Sequence, residues 1–357
     1  MKNYILSIDT SCDETAAAIT LDTKVIASKV WSQASLHAKF GGVYPSLAKR
    51  KHEERIDFVI KQTLKKAKLE IKDISAIAVT VGPGLAPALE VGIQKAKELS
   101  LTFKKPLFAV NHVEAHLLSP LIGKSFEEIK QYFPALGLVV SGGNTQLIFT
   151  KKPGKYKIIA ETIDDALGEA LDKGARALGL GYPGGPVLEK IAEEFKANKN
   201  LKNPLPLPFA GQEKLRKFSY SGLKTALVRL IEKIKKEKGR LKKEDIISLA
   251  YFYQERAFNH IERIVLFILK NQKEKPKSFL VGGGVAANNN LRKKLRKIAK
   301  SNNLKLIFPP QKKYCGDNAA MIGVALAINL KERSAKNVNP QKIDRIPRLK
   351  LTESKIY

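Results

Sequence analysis

Hydrophobic residues follow two alternating patterns along this chain. Short apolar runs bounded by Gly, Pro or Asp predict β-strands at 4–9, 16–21, 76–82, 106–110, 135–140, 145–150, 278–284 and 304–309. Apolar residues spaced three and four apart predict helices at 46–69, 87–103, 164–180, 186–197, 221–237, 245–272, 288–301 and 317–331. Strands that alternate with helices in this way predict an α/β protein with several parallel strand pairs.

Two segments of the chain are faintly similar to each other. Residues 4–20 and 136–150 each fit a strand, a tight polar turn and a second strand. A duplicated fold would bring one hairpin turn from each half to a central cleft. Two unrelated hairpins with the same turn chemistry would give the same pattern, and the repeat taken alone slightly favours that explanation.

Charge changes this picture more than composition does. Hydrophobic residues make up 44% of the 357 residues, which is typical of a folded protein. The 64 Lys and Arg against 34 Asp and Glu give a net charge of +30, which favours a polyanionic partner such as nucleic acid. A lysine-rich surface that only maintains solubility is the alternative. From Lys331 onward the chain is basic and aperiodic, so we predict a flexible tail over 332–357.

The cellular location follows from what the sequence lacks. Two cysteines, Cys12 and Cys315, are too few for a disulfide framework and fit a reducing cytosol. Asp9 interrupts the first apolar run before it reaches the length of a signal sequence, and no other run is as long as a membrane span. We therefore expect a cytoplasmic protein without a membrane partner.

The stretch NHVEAHLLSP places His112 and His116 four residues apart. On a helix the two imidazoles share one face at about 6 Å, which is close enough for both to bind one cation. Two core or surface histidines with no metal are the commoner cause of such a pair. Glu114 would face away from the histidines, and the order differs from the His-Glu-x-x-His of zinc proteases. Asp317 is a candidate third ligand or only a helix cap, and Cys315 is a candidate soft ligand or a small core residue.

Glycine-rich turns and carboxylates offer further candidate sites. SGGNT (141–145) and VGGGVAANNNLRKKL (281–295) follow strands, where backbone N–H groups can approach a phosphate closely. Tight strand–helix connections would need the same glycines. Asp165, Glu169 and Asp172 would line one helical face; they would bind substrate hydroxyls or an amine, or only pair with Lys173 and Arg176.

Eight motifs occur together in a fixed order: IDTSCDET, VTVGPGL, NHVEAH, VSGGNTQL, DDALGEALDKGARALGLGYPGGP, FSYSGLKTA, GGGVAANNNLR and CGDNAAMI. Over residues 4 to about 331 the chain resembles the bacterial form of the tRNA N6-adenosine threonylcarbamoyltransferase family, formerly described as O-sialoglycoprotein endopeptidases. The resemblance implies an actin-like ATPase fold, as in sugar kinases and heat-shock-70 proteins, with two lobes around a cleft. The expected lobes are 1–115, completed by helix 317–331, and 116–316, with a helical insertion at about 186–272.

The resemblance also implies an activity and its site. The expected reaction transfers a threonylcarbamoyl group from threonylcarbamoyl-AMP to N6 of adenosine 37, in tRNAs that read codons beginning with adenine. One divalent metal per subunit, Fe²⁺ in the first place and otherwise Zn²⁺, would be held by His112, His116 and Asp317. The family's bacterial members are expected to work with an inactive paralogue and a P-loop ATPase. The residues implied to hold threonylcarbamoyl-AMP are Val139, Val140, Ser141, Gly142, Gly143, Asp172, Gly185, Glu189 and Asn288.

One departure from the family pattern affects the expected site, and three other functions stay open. Asn144 stands where the bacterial motif SGGHT has a histidine, and this puts in doubt only a ligand contact of that imidazole. A metalloprotease is the first alternative. An ATP-driven kinase or chaperone of the same fold, with Asp9 as a Mg²⁺–phosphate carboxylate, is the second. A basic RNA-binding scaffold without activity is the third.

Overall fold

The computed structural model describes residues 3–196 and 202–353, and its first half is built on a five-stranded sheet. Three strands form an antiparallel meander, and two more add in parallel on the other side of the first strand. The order is β3-β2-β1-β4-β5. The strands are β1 (Tyr4–Asp9), β2 (Glu14–Leu21), β3 (Lys24–Ser32), β4 (Ile74–Gly82) and β5 (Leu107–Asn111).

A second sheet repeats this arrangement. Its order is β11-β10-β6-β7-β8-β9, and the central hairpin is again flanked by a third meander strand on one side and two parallel strands on the other. The strands are β6 (Ala135–Val140), β7 (Thr145–Lys152), β8 (Lys155–Thr162), β9 (Lys217–Phe218), β10 (Ser278–Gly282) and β11 (Lys305–Ile307). Because five strands keep one order in both sheets, the faint repeat in the sequence is a duplicated fold.

Helices cover the sheets, and the α/β prediction is confirmed. They are α1 (Ala34–His37), α2 (Pro45–Ala67), α3 (Ala86–Phe103), α4 (His112–Leu118), α5 (Phe126–Gln131), α6 (Leu167–Ala177), α7 (Gly184–Glu193), α8 (Ser221–Lys238), α9 (Lys243–Asn271), α10 (Asn289–Ser301) and α11 (Ala319–Lys331). Residue 197, predicted to end a helix, lies outside the described residues. Among the described residues, no helix has the length and apolar character that crossing a bilayer requires.

Helix α11 is near the end of the chain but packs against the first sheet. All of its residues from Ala319 to Ile328 are buried, which is why its sequence is apolar on every side. Gly323 allows close contact, because a Cβ there would lie 2.7 Å from the Thr20 hydroxyl and 3.0 Å from that of Ser7. The helix thus packs on β1 and β2, although it follows them by about 300 residues of chain. The predicted lobe boundaries themselves stay predictions.

The prediction of a flexible tail over 332–357 is wrong for residues 332–353. The Val338 N–H donates to Leu107 O at 2.9 Å, and the Ile346 N–H donates to Val81 O at 2.7 Å. The side chains of Val338, Ile343 and Leu349 are buried in the core beside the first sheet. These apolar residues have no helical or strand period because the segment is irregular, so the pattern did not reveal them. Residues 354–357 lie outside the described residues.

Candidate functional site

The two histidines lie on one face of α4, as predicted. The helix begins directly after β5 because Asn111 caps it: the Asn111 side-chain oxygen accepts hydrogen bonds from Val113 N at 2.9 Å and Glu114 N at 3.1 Å. This fixes His112 at the first helical position and His116 one turn later. Their ring centroids are 4.5 Å apart and both side chains are buried.

Asp317 meets the histidines from the loop that precedes α11. Its Oδ1 lies 3.1 Å from His116 Nε2 and 3.5 Å from His112 Nε2. The cap of α11 is the neighbouring Asn318, whose side chain accepts from Met321 N at 3.1 Å, so Asp317 is not needed as a cap. One ligand atom from each of the three residues lies within 4.8 Å of the others. Two imidazoles and one carboxylate suit a divalent transition metal and leave further coordination positions open.

A second carboxylate, that of Asp9, lies beside the ring nitrogen of His112 that faces away from Asp317. Asp9 Oδ2 lies 3.6 Å from His112 Nδ1, which is slightly too long for a hydrogen bond, and neither atom has a hydrogen-bond partner among the described residues. A carboxylate beside the outer nitrogen of a histidine orients its inner nitrogen toward a metal. The sequence did suggest Asp9, but only for the kinase alternative. The sequence feature that could have predicted this contact is the position of the two residues: Asp9 is the last residue of β1, and His112 follows the last residue of β5. The ends of both strands lie at the same edge of the first sheet.

The charges of the cluster favour a bound cation. Burial lowers the pKa of His112, but the carboxylates of Asp317 and Asp9 outweigh it and raise that pKa to about 10. Burial raises the pKa of Asp317, but the two imidazoles outweigh it and hold that pKa far below its usual range. Burial and then the charge of His112 lower the pKa of His116. A dication would displace the proton on His112, so these residues fit a metal whose binding releases a proton.

Glu114 is turned away from the histidines, as predicted. Its Oε1 accepts hydrogen bonds from Tyr156 Oη at 2.7 Å and Asn329 Nδ2 at 2.9 Å, and the carboxyl is buried. It therefore cannot act as a base beside the imidazoles, which a metalloprotease helix would need. Cys315 is also not a ligand, because it is buried in the core beside the second sheet, where Arg292 Nη2 lies 3.5 Å from its Sγ.

The end of β6 and the turn after it contain five of the predicted substrate residues. Val139 and Val140 end β6; both residues are fully buried and pair with β7. Ser141 closes the turn, since its N–H donates to Asn144 O at 2.8 Å and its hydroxyl accepts from Asn144 N at 3.1 Å. Gly142 and Gly143 have open space beside them, because an added Cβ at either residue would meet no heavy atom within 4 Å. Their backbone is accessible, and their role in binding stays a prediction.

Asp172 is the only one of the three predicted carboxylates that is directed at a backbone turn. Its Oδ1 accepts from Gly185 N at 2.8 Å at the start of α7, and burial raises its pKa. Asp165 lies before α6 rather than on it, so the predicted single helical face is wrong. Lys173 Nζ lies 2.5 Å from Asp165 and 2.9 Å from Glu169, which matches the alternative of ordinary ion pairing.

Glu189 and Asn288 connect α7 to α10. Glu189 Oε1 accepts from Asn289 N at 2.7 Å. The Asn288 side chain caps α10 through its oxygen, and its Nδ2 donates to Gln254 Oε1 at 2.9 Å. The Asn288 backbone is hydrogen-bonded as well, since its N–H donates to Val285 O at 3.0 Å and its carbonyl accepts from Arg292 N at 3.0 Å. Both binding roles stay predictions.

Solved structures of other proteins share the fold. A component of (R)-2-hydroxyglutaryl-CoA dehydratase from Acidaminococcus fermentans aligns over 93% of this chain and 99% of its own, with a TM-score of 0.51 and 14% identity. HypF of T. kodakarensis aligns over 93% of this chain and 48% of its own, with a TM-score of 0.58 and 14% identity. At these identities the likeness shows the fold alone, and the predicted actin-like ATPase fold is confirmed.

Sequence comparisons extend over nearly the whole chain. The model of the family described as TsaD, tRNA N6-adenosine threonylcarbamoyltransferase, matches residues 24–324. Proteins of that name from Nostoc punctiforme and Bacillus subtilis are 41% and 42% identical to this chain over 356 and 354 residues. These alignments span 99% and 98% of this chain and 98% and 96% of the relatives. The chain is therefore a transferase that belongs to the tRNA N6-adenosine threonylcarbamoyltransferase family.

Proposed function

We propose that this protein transfers a threonylcarbamoyl group from threonylcarbamoyl-AMP to N6 of adenosine 37, in tRNAs that read codons beginning with adenine. The observation that carries the proposal is the cluster of two buried histidines, His112 and His116, with the partly buried Asp317 in a chain of this family. The net charge of +30 supports a tRNA substrate, because phosphates of the RNA backbone would be attracted to the surface. The proposal places the protein in the cytoplasm, where tRNA is found.

His112, His116 and Asp317 would hold a divalent metal, Fe²⁺ in the first place and otherwise Zn²⁺. The metal would supply Lewis acidity toward a carbonyl or phosphoryl oxygen of the donor. Asp9 would keep His112 oriented with Nε2 toward the metal. The buried position of both imidazoles would limit access of water to the ligands.

The donor needs to be held and protected from hydrolysis. The accessible backbone of Gly142 and Gly143 supports a phosphate site there, because N–H groups without a neighbouring side chain can approach an anion closely. Asp172 and Gly185 would bind at the start of α7, and Glu189 and Asn288 would complete the site beside α10. A closed cleft would exclude water that competes with the adenine.

The transfer itself forms one bond and breaks one. The N6 lone pair attacks the carbamoyl carbon, and the bond from that carbon to the phosphate oxygen breaks. Its electron pair leaves with AMP, and N6 loses one proton. An adenine in the anticodon loop is unpaired, so it can enter the cleft without melting a duplex. An inactive paralogue and a P-loop ATPase would assist the bacterial-type enzyme.

The test is a reconstituted reaction with metal-loaded protein, the paralogue, the ATPase, threonylcarbamoyl-AMP and an anticodon stem-loop. Nucleoside mass spectrometry would measure N6-threonylcarbamoyladenosine, and elemental analysis would measure bound metal. We expect His116→Ala and Asp317→Asn to lower metal affinity by roughly 10-fold or more and to abolish the product. The control is Asp22→Asn, an exposed residue in the turn between β2 and β3, which should change neither.

Three outcomes would contradict the proposal. Full activity of His116→Ala would remove the metal cluster from the mechanism. Release of peptides from a glycoprotein, abolished by His112→Ala, would favour the metalloprotease. Steady ATP hydrolysis by this chain without tRNA or the other proteins would favour a kinase or chaperone.

A further inference from the structure

Two exposed aromatic side chains stack on each other between β3 and α2. The ring centroids of Phe40 and Tyr44 are 5.3 Å apart with an interplanar angle of 23°. The two residues are 57% and 52% exposed, and Phe40 is the most exposed large hydrophobic residue in the part of the chain that the structure describes. Exposed apolar rings cost free energy in water. A stacked pair of exposed rings is a feature of surfaces that bind a partner.

A buried histidine holds this pair in place. His37 is fully buried at the end of α1, and its Nδ1 accepts a hydrogen bond from the Tyr44 N–H at 3.3 Å. Its Nε2 is therefore the protonated nitrogen, and it donates to Gln33 Oε1 at 3.1 Å. Burial lowers the pKa of His37, which keeps this neutral form at pH 7. The loop that presents the rings is thus built around a specific hydrogen-bonded centre.

The loop is anchored at the edge where the candidate site lies. The Gln33 N–H donates to Asp13 O at 2.9 Å, in the turn that follows Asp9. On its other side the loop reaches the second half of the molecule, because a Cβ at Gly41 would lie 3.2 Å from Arg176 Nε on α6. Arg176 is one helical turn beyond Asp172. The loop that carries the aromatic pair is therefore joined to the turn after β1 and also contacts α6, the helix that carries Asp172.

The surroundings of the pair favour a polyanion over a protein. Residues 33–52 contain four basic residues and no acidic one. Lys39 and Arg50 are exposed and Lys49 is partly buried. Lys49 Nζ pairs with Glu90 at 3.2 Å and Arg50 Nε lies 3.9 Å from Glu54, so Lys39, which is next to Phe40, is the basic residue of this group closest to the rings in sequence. Single-stranded RNA is bound by positive charge along its backbone together with aromatic rings on which unpaired bases stack.

We propose that Phe40 and Tyr44 form a stacking platform for an unpaired base of the anticodon loop, next to the adenosine that enters the cleft. The platform positions the RNA and does not touch the reacting atoms. It rests on the proposed function only for the identity of the RNA. Stacking is tolerant of sequence, so the platform holds whichever base flanks the adenosine.

The experiment measures binding of an anticodon stem-loop that carries 2-aminopurine beside adenosine 37, with this chain in its full complex. Stacking on a ring quenches the 2-aminopurine fluorescence. We expect Phe40→Ala and Tyr44→Ala to weaken binding about 5- to 150-fold each, the range for loss of one stacked base, and to reduce the quenching. The slope of log K against log salt concentration should stay unchanged, because no phosphate contact is lost. The KM for the stem-loop should rise, and kcat at saturating RNA should stay within about twofold.

Matched variants separate stacking from general hydrophobic contact. Tyr44→Phe keeps the ring and should bind like the unsubstituted protein, whereas Phe40→Leu keeps an apolar side chain and should behave like Phe40→Ala. Phe103→Ala is the control, because Phe103 is 44% exposed at the end of α3 and away from the loop. Both platform residues are largely exposed, so the variants should fold, and thermal unfolding checks this.

The platform and the proposed function fail in different ways. If the unsubstituted protein binds the stem-loop but makes no modified nucleoside, the function is wrong and the platform is still tested by binding. If Phe40→Ala and Phe40→Leu bind RNA with unchanged affinity, the platform is wrong. Unchanged RNA binding together with loss of the paralogue or the ATPase from the complex would overturn it in favour of a protein contact.

Discussion

Gly282 is the point where the second sheet contacts α4, the helix that carries both histidines. Gly282→Ala therefore tests whether this contact fixes the position of α4. Gly282 ends β10, and a Cβ there would lie 1.9 Å from His116 O and 2.8 Å from His116 C. The first distance has to grow by about 1.5 Å to reach 3.4 Å, the lower limit of ordinary van der Waals contact. Both contacts are backbone atoms, which cannot rotate away as a side chain can. Either β10 or α4 has to move.

A shift of this size should be measurable in two ways. Overpacking of a core costs typically about 1–3 kcal/mol, and a backbone clash belongs at the upper end or beyond. We therefore expect the free energy of unfolding of the metal-free protein, measured in urea, to fall by about 3 kcal/mol. His116 Nε2 is only 3.1 Å from Asp317 Oδ1. Displacement of α4 should therefore also lower zinc affinity by roughly 10-fold or more, measured by competition with a chelating dye.

The matched control is Gly284→Ala, two residues further along the same segment. A Cβ there would meet only Gly316 Cα, at 4.0 Å. This variant should keep both its stability and its metal affinity. If Gly282→Ala also keeps both, α4 is not held by the contact with β10, and the reasoning about the site's rigidity is refuted.

Three further predictions concern stability. Truncation after Lys331 removes the four buried apolar side chains of Val338, Ile343, Leu349 and Leu351. It should lower the free energy of unfolding by more than about 3 kcal/mol, even at half of the usual value for burying such side chains. Burial and then Arg263 lower the pKa of His260 from 6.5 to about 4, so the unfolded chain binds the extra proton between these values. Above pH 6.5 the imidazole is neutral in both states and does not lower the free energy of unfolding. Between pH 6.5 and pH 4 that free energy should fall by about 3 kcal/mol. The His260→Gln variant should lack this part of the pH dependence. Asp164→Ala removes the acceptor of two serine hydroxyls and one backbone N–H at the start of α8 and should cost about 1–3 kcal/mol in urea unfolding.

Local patterns predicted the elements that depend on local residues. The histidine pair was placed correctly on one helical face because residues four apart always share a face. The buried strands of both sheets were found from their apolar runs. β3 was missed because it is an edge strand whose side chains are mostly partly or fully exposed, so its sequence alternates poorly. The C-terminal segment was missed for a related reason, since it packs without a regular period.

Contacts between distant parts of the chain could not be read from spacing. Asp317 follows His116 by 201 residues, and only the family resemblance joined the two before the structure. The sequence also left open whether Asp317 is a cap or a ligand. The neighbouring Asn318 takes the capping role, and the ligand role of Asp317 stays a prediction. Asp9 beside His112 depends on β1 and β5 lying in one sheet with β4 between them.

Helix α4 contacts both halves of the molecule, and this determines what a bound metal can do. On one side His112 faces Asp9 of the first sheet at 3.6 Å. On the other side a Cβ at Gly137 of β6 would overlap the Leu117 side chain, and Gly282 of β10 contacts the His116 carbonyl. Asp317, the third residue of the candidate cluster, belongs to the segment that leads into α11, which packs on the first sheet. A cation bound by all three residues would join α4 to the segment before α11, and the contacts of Gly137 and Gly282 with α4 would couple the position of the second sheet to that site.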